Sequence, residues 1–184
     1  IAITSDNGAS AEGAYHGTHN ETLFMNGYYP SAQENRTFVD RWGGPETQPH
    51  YAFGWAVAGN TPLRNYKQTT HDGGIRVPLI VAWPKAVAAR GELQSEFAYV
   101  ADVMPTILDL AGIPLAQTIN NVAQVPMEGV SLTPKLLAKG AATTSRAQYF
   151  EMYGNKGLWH DGWTIVTSHR LDPWRMDQMS PITE

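Results

Sequence analysis

The sequence predicts a mixed α/β fold, and three patterns carry the prediction. Residues 76–83 contain a short apolar, β-branched run that ends at Pro84 and is typical of a buried strand. Apolar residues repeat at helical spacing through residues 99–111. Two segments, 147–153 and 162–169, alternate in polarity and predict a small antiparallel β region near the C-terminus. Strands mixed with helices favour an α/β or α+β architecture.

The first third of the chain combines one predicted strand with a long irregular stretch. Residues 1–8 form an apolar run that ends at an Asn-Gly pair, which predicts a buried strand followed by a turn. Residues 9–62 are rich in Gly, Asn and Pro and lack a sustained helical period. A structureless segment of that length is usually functional or lid-like. Aromatic residues between 15 and 66 either line an aryl pocket or pack this loop.

Two helices are predicted in the second half. In residues 99–111, Asp102 is placed to cap the N-terminus, Pro105 fits the first turn and Gly112 ends the helix. Three leucines suggest a second, shorter helix within residues 128–139.

Composition excludes several classes of protein. The 184 residues contain no cysteine, so a disulfide scaffold, a thiolate metal site and a cysteine nucleophile are all excluded. The net charge of −4 argues against nucleic-acid binding. No apolar run approaches the roughly 20 residues of a membrane span, so we expect a soluble protein without membrane partners. The lack of cysteine is compatible with cytoplasm and periplasm alike.

Both ends of the chain predict a piece of a longer protein. Ile1 begins inside a predicted strand, and the last residues stop without completing an element. The alternative is a trimmed chain whose remaining residues are disordered.

Asp6 and Asn7 follow the first predicted strand. Ligand sites in α/β sheets favour the carboxyl ends of strands, and an adjacent carboxylate and carboxamide offer hard oxygens to Ca²⁺ or Mg²⁺. The same tetrapeptide from Ser5 to Gly8 is also a good turn without any metal. Two ligands do not complete a hard-cation site, so further ligands would have to come from elsewhere.

Lys67 precedes an Asp-Gly-Gly turn at residues 72–74. A lysine in such a loop can present its ammonium group to an anionic substrate, or it can simply be solvated before a glycine turn. Arg76 could likewise bind an anion or pair with a carboxylate of the fold.

Several motifs occur together in one order. They are the strand ending at Ser5-Asp6-Asn7-Gly8, then Lys67 with the segment 72–81, the helix at 102–113 and Glu128-Gly129-Val130-Ser131-Leu132. In this order and spacing the chain resembles the C-terminal portion of a sulfatase. The segments 17–21, 54–62, 148–154 and 160–163 make it most similar to bacterial arylsulfatases. The resemblance covers about residues 1–170.

The resemblance implies a fold and a division of the chain. We expect the C-terminal part of an alkaline-phosphatase-like sulfatase fold. Residues 1–140 would complete the catalytic domain, and residues 141–184 would begin a truncated antiparallel subdomain. A bacterial cytoplasmic or periplasmic location would fit.

The resemblance also implies site residues. Asp6 and Asn7 match two ligands of the family's divalent cation, usually Ca²⁺. Lys67 matches the catalytic lysine that contacts the sulfate and stabilises the leaving oxygen. His71 lies where the family varies, so we expect only an indirect role in substrate binding. Both site loops should lie at one edge of a sheet.

The chain lacks part of the machinery that the resemblance implies. The family's nucleophile is a formylglycine made within a Cys/Ser-x-Pro-x-Arg motif, which does not occur here. We therefore expect a fragment of an arylsulfatase that splits a small sulfate ester, aryl esters included. It would need the N-terminal part of its own chain and would be inactive alone. The alternatives are a phosphodiester or phosphonate hydrolase of the same superfamily and a non-catalytic binding domain.

Overall fold

A computed structural model describes residues 1–87, 91–137 and 145–169. The chain divides into two compact units. The first comprises Ala2–Ile80 and the described part of Arg146–Glu184, and the second comprises Ile1 and the described part of Val81–Ser145. The predicted domain boundary after residue 140 lies outside the described residues and stays a prediction.

The N-terminal part of the first unit is mostly short helices. Its first strand is β1 (Ala2–Thr4), and its α-helices are α1 (Thr22–Met25), α2 (Ala32–Arg36), α3 (Phe53–Asn60) and α4 (Asp72–Ile75), with a 3₁₀ turn at Val39–Arg41. Three of these helices lie within the segment that the sequence predicts to be irregular. The longest, α3, has the composition Phe-Gly-Trp-Ala-Val-Ala-Gly-Asn, which is apolar on every side and so carries no helical periodicity.

A second strand, β2 (Leu79–Val81), pairs with β1 in a two-stranded sheet. It confirms the strand predicted in residues 76–83. The predicted burial is wrong, because Ile3 is 58% exposed and Ile80 is 57% exposed. The described sheet contains only these two strands, so their apolar side chains lack the covering that a larger sheet provides.

In the second unit the helix predicted in residues 99–111 is confirmed, and the helix predicted within residues 128–139 is shorter than predicted. A 3₁₀ turn, Val100–Asp102, leads into α5 (Val103–Ala111), and Gly112 ends it in the left-handed conformation. A hairpin of β3 (Thr118–Ile119) and β4 (Val122–Ala123) precedes α6 (Thr133–Leu137). Residues 128–132 are not helical, and residues 138–139 lie outside the described part.

Asp102 does not cap α5 with its side chain, contrary to the prediction. Its own backbone is already helical, so the carboxylate points away from the first turn of α5. It is buried and instead accepts hydrogen bonds from the backbone N–H groups of Tyr99, at 2.8 Å, and Val130, at 2.9 Å. The segment after Gly129 is thereby fastened to the start of the helix.

The C-terminal residues of the first unit form a three-stranded antiparallel sheet. Its strands are β5 (Ala147–Met152), β6 (Asn155–His160) and β7 (Trp163–Thr167), in the order β5-β6-β7. The sequence predicts the two outer strands but not β6, in which lysine and glycine interrupt the apolar alternation. Asn155 and Gly157, both on β6, are buried.

A small apolar core lies beneath the segment that carries Lys67. Ala11, Ala56 and Tyr66 are buried together, with Ala9 and Phe53 packed against them. This core joins the chain after β1, helix α3 and the residue before Lys67. No helix in the described part of the chain is long and apolar enough to span a membrane.

Candidate functional site

Asp6 and Asn7 lie in a tight turn just beyond the carboxyl end of β1. The backbone N–H of Asn7 donates to Asp6 Oδ1 at 3.1 Å, and the Ser5 hydroxyl donates to the Asn7 carbonyl oxygen at 2.9 Å. Asp6 is exposed and Asn7 is half-buried. The turn thus leaves a carboxylate and a carboxamide accessible at the end of a strand.

Gly8 lets the turn after β1 pack closely against Gly73 and Gly74 of helix α4. Its backbone N–H donates to the Gly74 carbonyl oxygen at 2.9 Å, and a Cβ atom on Gly8 would overlap the carbonyl oxygen of Gly73. Cβ atoms on Gly73 and Gly74 would also overlap backbone oxygens. Contact with Gly73 therefore explains the glycine at position 8. Gly73 and Gly74 are explained instead by close contact with the backbone of residues 64–69.

Lys67 lies on the loop between α3 and α4. Its backbone N–H donates to the Ala9 carbonyl oxygen at 3.0 Å, which ties this loop to the chain that follows Asn7. Its ammonium group donates to Glu12 Oε2 at 2.9 Å, and its side chain is 34% exposed. The next residue, Gln68, has φ of 72°, a conformation that non-glycine residues adopt rarely.

The carboxylate of Glu12 accepts hydrogen bonds from three side chains. Besides Lys67, it accepts hydrogen bonds from the Ser10 hydroxyl at 2.8 Å and from Gln68 Nε2 at 2.7 Å. Burial by itself raises the pKa of Glu12, but these hydrogen bonds and the charge of Lys67 outweigh burial and hold the pKa below its ordinary value. The carboxylate is therefore ionised at neutral pH and has an ammonium group as its partner.

His71 comes directly before α4 and is half-buried. Its Nδ1 lies 3.0 Å from Asn65 Nδ2, and because an amide nitrogen only donates, Nδ1 is the acceptor. Burial and then the positive charge of Arg64 lower the pKa of His71, while Asp72 opposes them. The imidazole is therefore neutral at pH 7, with Nε2 carrying the proton.

The sequence left open whether Arg76 binds an anion or pairs with a carboxylate of the fold. Its guanidinium lies 3.6 Å from the Asp72 carboxylate, one turn earlier in the chain. It pairs with a carboxylate of the fold.

Asn155 fastens the Lys67 loop to the antiparallel sheet. Its Nδ2 donates to the Gln68 carbonyl oxygen at 2.9 Å, and its Oδ1 accepts from the His169 backbone N–H at 2.8 Å. It is 3% exposed. Beside it, Gly157 lies so close to Thr70 that a Cβ atom at this glycine would approach the threonine Cβ to 2.9 Å.

The donor chemistry of the turn at Asp6 fits a hard cation in part. Within residues 1–87, 91–137 and 145–169, no group of three or more His, Cys, Asp or Glu side chains could hold a metal ion. Asp6 and Asn7 supply two oxygens, whereas Ca²⁺ takes six to eight. The remaining ligands would have to come from beyond this pair.

The chain that follows Asp6 is thus joined by one backbone hydrogen bond to the Lys67 loop and by another to helix α4. Sequence reasoning misses Glu12 and Asn155. Their partners lie 55 and 87 positions away in the chain, and no local pattern marks either residue.

Two family models match the chain. The first is described as sulfatase and matches residues 1–113. The second is described as N-sulphoglucosamine sulphohydrolase, C-terminal, and matches residues 65–169. The first match covers more than half of the chain and includes every candidate residue discussed except Asn155.

Curated relatives agree with the family models. The arylsulfatase of Klebsiella aerogenes is 30% identical over 137 residues, which are 72% of this chain and 27% of that protein. Human arylsulfatase A is 33% identical over 91 residues, 50% of this chain and 16% of that protein. Mouse steryl-sulfatase is 32% identical over 118 residues, 62% of this chain and 18% of that protein. The chain spans about a quarter or less of each of these relatives, and it belongs to the sulfatase family.

Proposed function

We propose that the protein containing this chain hydrolyses sulfate esters, aryl sulfates among them. In this proposal Lys67 contacts the sulfate group, and Asp6 and Asn7 provide two ligands of a divalent cation, calcium. The observation that carries it is the joining of the two loops. The hydrogen bonds from Gly8 to Gly74 and from Lys67 to Ala9 hold both sets of polar groups on adjacent segments. Membership of the sulfatase family supports the choice of reaction.

In this proposal the residues act by neutralising negative charge. An ammonium group neutralises negative charge on sulfate oxygens and on the oxygen of the departing alcohol or phenol. A bound cation supplies further neutralisation of the sulfate oxygens. Lys67 is suited to this role because its ammonium has three N–H donors and only one of them is directed to Glu12. His71, neutral and hydrogen-bonded to Asn65, contributes by shaping the loop.

The nucleophile is proposed to come from another part of the complete protein. This chain contains no cysteine and no Ser-x-Pro-x-Arg sequence from which a formylglycine could be made. The 184-residue chain alone should therefore show no turnover of a sulfate ester.

The test compares Lys67→Ala with Lys85→Ala in the full-length gene product. Lys85 is an exposed lysine and provides the matched control. With 4-nitrophenyl sulfate we expect Lys67→Ala to lower kcat/KM by roughly 10²–10³, the usual effect of losing one preorganised charge-stabilising group. Lys85→Ala should leave it unchanged. In a series of aryl sulfates the loss should grow as the leaving group becomes poorer, since Lys67 acts on the charge that develops there.

Two results would contradict the proposal. Full activity of Lys67→Ala would remove Lys67 from the reaction. A strong preference of the wild-type protein for bis(4-nitrophenyl) phosphate over the sulfate would identify a phosphodiester hydrolase instead.

A further inference from the structure

The ion pair between Lys67 and Glu12 differs from an ordinary surface pair. The side chains are 34% and 26% exposed, whereas those of the pair between Arg41 and Glu46 are 49% and 63% exposed at the same separation of 2.9 Å. Glu12 also accepts from Ser10, and this second bond fixes the direction of its carboxylate. The Lys67 ammonium group is therefore bound by a carboxylate whose own orientation is fixed by Ser10.

Glu12 binds two successive residues of one loop. One carboxylate oxygen accepts from Lys67 and the other from the Gln68 side chain at 2.7 Å. Gln68 has a left-handed backbone, which is strained for a residue with a Cβ atom and persists where surrounding contacts impose it. Glu12 thus restrains both the lysine side chain and the backbone bend that directs it.

The carboxylate is unsuited to touch the substrate itself. A sulfate ester is an anion, and an ionised carboxylate repels it, so any benefit from Glu12 must pass through Lys67. A lysine side chain that is ordered in advance does not lose its rotamer freedom when the substrate binds. That saving corresponds to about a tenfold difference in rate.

We propose that Glu12 is a positioning residue that orders the Lys67 ammonium group for the sulfate of the substrate. The inference rests on the proposed function, because it assigns a purpose to the placement of Lys67. It adds a residue whose carboxylate accepts hydrogen bonds from Ser10, Lys67 and Gln68.

A double-mutant cycle in the full-length gene product tests the proposal. Glu12→Gln, Lys67→Ala and the double variant are compared by kcat/KM for an aryl sulfate. We expect Glu12→Gln to lower kcat/KM about tenfold in the wild-type background and to have no further effect once Lys67 is alanine. Glu46→Gln removes an ion pair of equal length at an exposed position and should leave kcat/KM unchanged.

The outcomes separate this inference from the proposed function. Equal losses from Glu12→Gln with and without Lys67 would overturn the inference, since a merely structural residue acts in both backgrounds. An unchanged Glu12→Gln beside an impaired Lys67→Ala would also overturn the inference and leave the proposed function standing. An unimpaired Lys67→Ala would overturn both.

A conservative variant keeps the test decisive if Glu12→Gln does not fold. Glu12→Asp retains the charge, but its carboxylate is one methylene shorter and cannot reach Lys67 and Gln68 together. It takes the place of Glu12→Gln in the cycle. A partial loss that disappears in the Lys67→Ala background supports the proposal, and any loss that persists there overturns it.

Discussion

Asn155→Asp tests whether the antiparallel sheet holds the Lys67 loop. The two side chains have nearly the same shape, so packing is preserved. The carboxylate can still accept from the His169 backbone N–H, but it replaces the Nδ2 donor with an oxygen that faces the Gln68 carbonyl oxygen. The substitution therefore breaks one contact and turns it into a repulsion between two acceptors.

The expected cost follows from the geometry and burial of this bond. The hydrogen bond is 2.9 Å long and part-buried, and its donor residue is 3% exposed, so water has little access to the lost partner. Leaving a buried acceptor unsatisfied costs about 1–3 kcal/mol, and the opposing carboxylate adds to it. We expect Asn155→Asp to lower the free energy of unfolding by about 2–4 kcal/mol.

The assay is urea unfolding followed by tryptophan fluorescence, with Asn26→Asp as the control. Asn26 also donates from Nδ2 to a backbone carbonyl oxygen, at 3.0 Å, but it is exposed, so its loss should cost under about 1 kcal/mol. If the two variants lower the unfolding free energy equally, the buried bond to Gln68 has no special role. A change of less than about 0.5 kcal/mol for Asn155→Asp would refute the reasoning.

Three further predictions concern the same region. Gly8→Ala should prevent normal docking of the turns and destabilise the chain by several kcal/mol, because its Cβ atom would overlap the Gly73 carbonyl oxygen. Gly54→Ala, in open space on helix α3, should be neutral or stabilising by about 0.5 kcal/mol, and thermal melting of both variants checks this. The pKa of Glu12 is lower in the folded chain, so its ionic contribution to stability is present above its ordinary pKa and lost as pH falls below about 4.3. The difference in unfolding free energy between wild type and Glu12→Gln should accordingly shrink as pH falls through that range. In the full-length gene product, Asp6→Ala should reduce bound calcium, and excess calcium should partly restore activity to this variant but not to Lys67→Ala. Metal content and rates measured over a calcium titration would contradict the assignment if both variants responded alike.

Much of the local structure could be predicted because it depends on neighbouring residues. The helix at α5 follows from its apolar spacing, and Gly112 ends it because glycine adopts a left-handed backbone without strain. The Asn-Gly pair after β1 likewise marks a turn wherever it occurs. The family resemblance rests on such motifs and on their order.

Tertiary contacts decided the rest. Helix α3 and strand β6 carry weak local patterns, and Asp102 is a plausible cap whose carboxylate is instead drawn to the Val130 backbone. The partnership of Glu12 with Lys67, and that of Asn155 with Gln68, join positions far apart in sequence. The sequence by itself determined which residues could serve as ligands and where the chain turns. Which side chains meet was decided only by the tertiary structure, because most buried polar groups are hydrogen-bonded and the fold determines which partner lies within reach.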